Sequence, residues 1–236
     1  MTTPQKVAIV TGASQGLGAG IVQGYRARGY AVVANSRTIQ ASADDGVVTV
    51  AGDIGDPEVA RRLVETAVER FGRVDALVNN AGLFVAGDVA QTTEAQYRSV
   101  LRTNLDGFFF VTQHAVRVMQ AQKSGHIVQI STTLVEHALS QVPSVLASLT
   151  KGGLTAATRG LAVELARHNI RVNAVAPGII RTPLHAPDQV DALKAFAPLN
   201  RVGEVDDVVQ AVLYLESAGF VTGEILHVDG GMIAGH

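Results

Sequence analysis

Three glycines at a fixed spacing are where chemistry first shows in this chain. The stretch Thr11-Gly12-Ala13-Ser14-Gln15-Gly16-Leu17-Gly18 follows the apolar run Val7-Ala8-Ile9-Val10 and leads into an amphipathic segment with Ile21, Val22 and Tyr25. That order reads as strand, tight turn and helix. Gly12 permits the turn leaving the strand, Gly16 keeps a Cβ out of the way of a pyrophosphate, and Gly18 lets the helix pack closely. The helix N-terminus presents free N–H groups and a positive dipole end to an anion, so Ser14, Gln15 and Leu17 count with the glycines as dinucleotide contacts. A glycine-rich turn without a ligand is the plainer alternative.

Further along, Asn35-Ser36-Arg37 ends the second apolar run. A carboxylate at such a place takes a ribose 2′-hydroxyl, whereas a cation accommodates a 2′-phosphate. No carboxylate occurs from residue 31 to 43 and Arg37 is the sole cation there, which favours NADP(H) over NAD(H). Asp53-Ile54 ends the third run, where the carboxylate would accept from an adenine amino group or close an Asx turn. The fourth runs into Asn79-Asn80-Ala81-Gly82, small and polar. Asn104 sits inside a helical pattern that suits it poorly; satisfying the backbone at a helix bulge, ordering water in the site, or both together would account for it.

These residues need a scaffold. Strand-length apolar runs at 6–10, 31–34, 47–51, 76–79, 125–130, 171–175 and 225–228 alternate with helical patterns near 16–28, 57–71, 94–121, 145–168 and 204–217. Alternation with continuous apolar strands predicts an α/β fold, a Rossmann-like doubly wound parallel sheet of about seven strands with helices on both faces. The 236 residues, 47% hydrophobic and 17% charged, suit one domain over 1–236, with no linker or repeat. A net charge of −2 gives no reason to expect nucleic acid or an anionic membrane as a partner. Without cysteine there is no disulfide or thiolate chemistry, and the histidines other than His137 (114, 126, 168, 185, 227 and 236) have no metal-ligand spacing, so no metal is expected. No secretory pattern opens the chain and no apolar run is of membrane-spanning length, which makes a soluble cytoplasmic protein the expectation.

Together the motifs resemble the short-chain dehydrogenase/reductase family over essentially the whole chain. Thr11–Gly18 resembles its cofactor turn, Asp53 its adenine contact, Asn79–Gly82 its N-N-A-G motif and Asn104 its helix asparagine. Pro177-Gly178-Ile179-Ile180-Arg181-Thr182 resembles its P-G-x-x-x-T segment, whose threonine reaches the nicotinamide carboxamide. The tail from Val221-Thr222-Gly223-Glu224 through Val228-Asp229-Gly230-Gly231 is similar as well. The resemblance implies an NADP(H)-dependent oxidoreductase for a small carbonyl or alcohol, with Ser36 and Arg37 reading the 2′-phosphate. It also implies a homo-oligomer, tetramer or dimer, formed through the helices near 108–121 and 145–168.

The departure is in the catalytic motif. The family's Y-x-x-x-K stands here as Ala147-Ser148-Leu149-Thr150-Lys151. Thr132 falls at the catalytic serine, with Ser131 or Thr133 as alternatives. The implied roles are Thr132 to orient the carbonyl, Lys151 to hold the nicotinamide ribose and relay protons, and Asn104 to order water. Losing a tyrosine of pKa about 10 as general acid forfeits about 10²–10⁴-fold, so proton transfer is altered or weak. A cofactor-binding protein without turnover, or a non-redox enzyme on the same fold, are the alternatives. Ser144, Ser148, Glu136 and His137 are the residues near enough in sequence to supply a proton instead. The stretch 183–200, with Pro183, Leu184, Pro187, Leu193, Phe196 and Pro198, is expected to be an apolar lid over a modest uncharged substrate.

Overall fold

The computed structural model describes residues 4–184 and 192–235. Seven strands, β1 (Val7–Thr11), β2 (Ala31–Ser36), β3 (Val47–Ala51), β4 (Ala76–Asn79), β5 (Gly125–Ile130), β6 (Ile170–Pro177) and β7 (Ile225–Val228), form one sheet. Every pairing is parallel, in the order β3-β2-β1-β4-β5-β6-β7. The helices are α1 (Gly16–Ala27), α2 (Pro57–Phe71), α3 (Glu94–Leu101), α4 (Gly107–Gln122), α5 (Val145–Leu165) and α6 (Val205–Ser217).

Alternate residues of the central strands face opposite layers, which is why the strands read as unbroken apolar runs. Ile9, Val33, Leu77, Ile127 and Val172 meet Leu63, Val111 and Leu165 from α2, α4 and α5. Val10, Val32, Val78, Val128 and Val175 meet Ile21, Val208 and Val212 from α1 and α6. Winding runs outward from β1 to β3, then returns through α2 to β4 on the other side of β1. The loops after β1 and β4 therefore part at the C-terminal edge and leave a crevice between them.

The stretch 94–121 is helical throughout, as its pattern predicts, but not as a regular α-helix. It passes through a π-helical turn, Arg102–Asp106, which carries Asn104 between α3 and α4. Asn104 is buried there, and its amide is bonded to the backbone of Leu83, a local partner that a regular helix cannot offer. The pattern at 145–168 is helical to its end, α5 tightening into a 3₁₀ turn at Ala166–His168.

At the opposite, N-terminal edge a polar cluster is closed on itself. Glu216 at the end of α6 accepts from Tyr25 (3.2 Å) and Tyr30 (2.9 Å) and is 2.8 Å from His126 Nδ1, with the His126 and Glu216 side chains 2% and 8% exposed. Burial pushes His126 below its ordinary pKa, so the neutral ring donates from Nδ1 and its Nε2 accepts from Asn173 Nδ2 at 3.1 Å. Burial works to raise the Glu216 carboxyl, but the His126 and Tyr30 hydrogen bonds and the Arg171 charge override it and hold it low. Arg171 in turn donates to the carbonyls of Leu215, Glu216 and Val221.

Candidate active site

The crevice is a cavity of about 620 Å³, open at the C-terminal edge of the sheet. Its floor is the turn after β1. Gly12 has φ +65° and a Cβ there would stand 2.8 Å from Ala81 Cα, so both its conformation and its close approach require glycine. Gly18 packs against the turn itself: a Cβ would lie 2.1 Å from the Gly12 carbonyl oxygen. Gly16 has φ +53° and only ordinary contacts, so its left-handed bend is what excludes a side chain. No side chain caps the N-terminus of α1, and Ser14 and Gln15 are exposed beside it, leaving its first N–H groups to a ligand.

The turn is braced from β4. Thr11 Oγ1 accepts from the Asn80 and Ala81 N–H groups (3.1 and 3.0 Å), while Asn80 Nδ2 donates to the carbonyls of Thr11 (2.9 Å) and Gly12 (3.1 Å). Asn80 thus holds the two loops of the crevice together. Asn35 similarly ties β2 to the Val50 and Gly52 carbonyls. Beyond it, Ser36 Oγ is buried without a hydrogen-bond partner, and the exposed Arg37 makes no hydrogen bond or ion pair with a described residue. Asp53 is engaged: Oδ1 accepts from Gly55 N at 3.0 Å, closing the Asx turn, and Oδ2 pairs with Arg102 at 2.9 Å. Burial opposes its charge, but these two bonds hold its pKa below the usual carboxylate value.

On the far side α5 supplies Ala147 and Lys151, one helical turn apart, both on the cavity wall. Lys151 Nζ donates to the Ile130 carbonyl at 2.6 Å, and burial pushes its pKa down to about 8. The three hydroxyls after β5 have different partners, and Ser131 lines the cavity beside Thr132. Thr133 turns to the Pro177 carbonyl behind the wall; Ser131 bonds Thr155 Oγ1 at 3.0 Å. Thr132 accepts from Leu134 N at 3.3 Å and keeps its own hydroxyl hydrogen for the cavity it lines.

Sequence reasoning proposed Gly12, Ser14, Gln15, Gly16, Leu17, Gly18, Ser36, Arg37, Asp53, Ile54, Asn80, Ala81, Gly82, Thr132, Lys151, Pro177, Gly178, Ile180 and Thr182, and all of them line this cavity. Asn104 does not. It stands behind the wall, where Oδ1 accepts from Leu83 N at 2.7 Å and Nδ2 donates to the Leu83 carbonyl and Thr150 Oγ1, both at 3.0 Å. Both amide hydrogens are spent on the fold, which answers for its place in the helix pattern. Leu83 and Phe84 were not singled out from sequence, although their position directly after Asn79–Gly82 points to them.

The substitute proton donors do not reach the cavity. Glu136 pairs with His227 at 3.2 Å, Ser148 donates to the Leu134 carbonyl, and neither His137 nor Ser144 lines the wall. Of the expected lid, Pro183 and Leu184 line the cavity while Leu193, Phe196 and Pro198 do not. Residues 185–191, with Pro187, lie outside the described residues. Among the described residues no group of three or more His, Asp or Glu side chains could hold a metal ion, and no helix is long and apolar enough to cross a membrane.

Comparison with known proteins agrees with this geometry. The family described as "Enoyl-(Acyl carrier protein) reductase" matches residues 12–233. An acetoacetyl-CoA reductase of Acinetobacter is 36% identical, over 97% of this chain and 98% of that one. The subunit BbsD of (2S)-[(R)-hydroxy(phenyl)methyl]succinyl-CoA dehydrogenase from Thauera aromatica is 35% identical over 98% of both. A solved structure of ElxO with NADP bound superposes with a TM-score of 0.91 at 29% identity, covering 98% of this chain and all of that one. The chain belongs to the short-chain dehydrogenase/reductase family of oxidoreductases.

Proposed function

We propose that the protein is an NADP(H)-dependent oxidoreductase acting on a small carbonyl or alcohol substrate. One observation carries the choice of cofactor: a buried Ser36 hydroxyl without a partner stands next to Arg37, whose guanidinium is uncommitted. A 2′-phosphate supplies what both lack, an acceptor for the hydroxyl and an anion for the guanidinium. The glycine cradle, in which a Cβ at Gly12 or Gly18 would collide with backbone, fits a pyrophosphate against the α1 N-terminus. The NADP-bound ElxO neighbour supports the same reading.

When bound, the dinucleotide supplies or accepts a hydride. The chain's own residues do the rest. Thr182, Gly178 and Ile180 would flank the nicotinamide end, Lys151 would hold its ribose, and the free hydroxyl of Thr132 would donate to the substrate oxygen. Leu83, Phe84, Pro183 and Leu184 give the substrate end an apolar wall, which suits an uncharged reacting group. Relatives named for acyl-CoA substrates make acetoacetyl-CoA the first probe. On the outer surface Phe109 of α4 and Leu149 and Val163 of α5 are 56%, 55% and 82% exposed, supporting a homo-oligomer, tetramer or dimer, through these helices.

Fluorescence titration with NADPH and NADH tests the cofactor: NADPH binds more tightly, and equal affinity overturns the assignment. Ala147 favours a second reading, a cofactor-binding protein without turnover. Activity confined to Ala147→Tyr decides for that reading; turnover by the native chain decides against it.

A further inference from the structure

We propose that Lys151 is itself the acid that protonates the substrate oxygen, in addition to holding the ribose. This deepens the reductase reading above and rests on it. Among the described residues, Arg37, Asp53 and Lys151 are the only ionisable side chains on the cavity wall. Arg37 and Asp53 follow β2 and β3, at the end assigned to the 2′-phosphate and adenine, and Asp53 is already bound by Arg102 and Gly55. Lys151 alone shares the other end with Thr132 and Ala147.

Its geometry leaves protons to give. An ammonium carries three hydrogens, and the Ile130 carbonyl takes one. A Cβ on Gly82 would lie 3.0 Å from Nζ, so glycine there leaves the ammonium room on that side. Ala147, on the same face of α5 one turn earlier, contributes a methyl where a phenol would otherwise stand over the wall. The neighbouring hydroxyls are far weaker acids, and Ser131 and Ser148 are committed to other partners.

The electrostatic surroundings make the assignment chemically apt. Burial alone lowers the Lys151 pKa to about 8; no charged side chain, neither Arg37 and Asp53 across the cavity nor Glu136 and His137 in the loop after β5, contributes to the shift. A group so tuned is charged at neutral pH yet readily surrenders a proton to an alkoxide. In the reductive direction the hydride forms the new C–H bond as the carbonyl π pair moves to oxygen. The O–H bond forms while an Nζ–H bond breaks, its electron pair staying on nitrogen as the neutral amine. Water entering the open cavity returns the proton to Nζ. Each alcohol formed consumes one hydride and one proton.

The test uses the full chain with NADPH, acetoacetyl-CoA and a set of simple aldehydes and ketones. On this proposal kcat/KM falls tenfold per pH unit above about pH 8. Lys151→Arg, which keeps a cation but moves its pKa out of range, removes that limb and lowers kcat roughly 100-fold or more. A lysine that only holds the ribose behaves otherwise: Lys151→Arg raises the KM for NADPH and leaves kcat and the limb in place, and that result overturns the proposal while sparing the reductase reading. NMR of the ¹⁵N-labelled Lys151 ammonium, assigned by its loss in Lys151→Arg, gives a readout independent of turnover. A midpoint near 8 supports the proposal, and one above 10 overturns it. Failure of NADPH to bind, or binding without turnover of any probe, overturns the reductase reading and this proposal together.

Discussion

The two edges of the sheet use polar residues in opposite ways. At the N-terminal edge Glu216, His126, Tyr25, Tyr30 and Asn173 saturate one another, and the cluster has no group to spare. At the C-terminal edge Thr11 Oγ1 and the amide nitrogens of Asn35, Asn80 and Asn104 are likewise engaged by the fold. They hold up a second set, Ser36, Arg37, Thr132 and Lys151, that keeps hydrogen-bonding capacity toward the cavity. A closed network contributes to stability; an open one, supported from behind, contributes to binding. Buried polarity alone does not mark a site, whereas buried polarity with capacity left over does.

The distinction can be broken most forcefully at Glu216. Glu216→Ala leaves two tyrosine hydroxyls and a histidine N–H without their acceptor, each worth about 1–3 kcal/mol when buried unpaired, and the loss is read in a chemical denaturation experiment. NADPH affinity of the folded fraction should stay as it was. If affinity falls with stability, the two edges are coupled and the contrast drawn here is wrong. Arg37→Ala is the mirror experiment. It should weaken NADPH roughly 10–100-fold in a fluorescence titration. NADH affinity and the melting temperature should not move. Loss of stability in that variant would give Arg37 a structural role that no hydrogen bond or ion pair predicts.

Acid separates the edges more gently. His126 and Glu216 both have folded pKa values below their ordinary values of 6.5 and 4.5, so the unfolded chain binds more protons in the windows beneath those values. Stability is therefore full above pH 6.5, declines as pH falls below it and declines further below 4.5, by at most about 1.4 kcal/mol per pH unit for each proton. Melting curves from pH 7.5 to 5 check the first window. His126→Gln should flatten it, and a slope that persists in the variant assigns the effect to other groups.

What the sequence disclosed follows the same division. The strands were legible because the runs are mostly apolar on both faces, and the cradle was legible because glycine spacing reports backbone conformation directly. The bulge in the helical stretch at 94–121 was legible only as one of two readings of Asn104, because its partner, Leu83, lies 21 residues away in the chain. Asn80 read as a cofactor contact, and its brace across 69 residues to Thr11 emerged only when β1 and β4 were seen side by side. The N-terminal network was invisible altogether. Its members come from four elements and the segment between α1 and β2, and His126, with no ligand spacing, had no role until Glu216 was found beside it. Which hydroxyl among Ser131, Thr132 and Thr133 keeps its hydrogen for the cavity was likewise undecidable by count, since Ser131 and Thr133 are committed to partners from other elements.

The smallest substitution sharpens the contrast most, because it pairs one hydroxyl at each edge. Tyr30→Phe removes a hydroxyl whose partner, Glu216, is nearly buried, so the folded protein should lose about 1–3 kcal/mol and NADPH binding should be unchanged. Ser36→Ala removes a buried hydroxyl with no partner at all. Since that group is desolvated in the free protein without compensation, its removal should leave stability equal or slightly raised. The cost should fall on the complex instead, as a loss of less than about tenfold in NADPH affinity and none for NADH. Opposite signs in the two melting curves would mean that a hydroxyl at one edge is kept for the fold and one at the other for the ligand. If Ser36→Ala destabilises the free chain as Tyr30→Phe does, Ser36 is part of the fold, and Arg37 alone is left to select the 2′-phosphate.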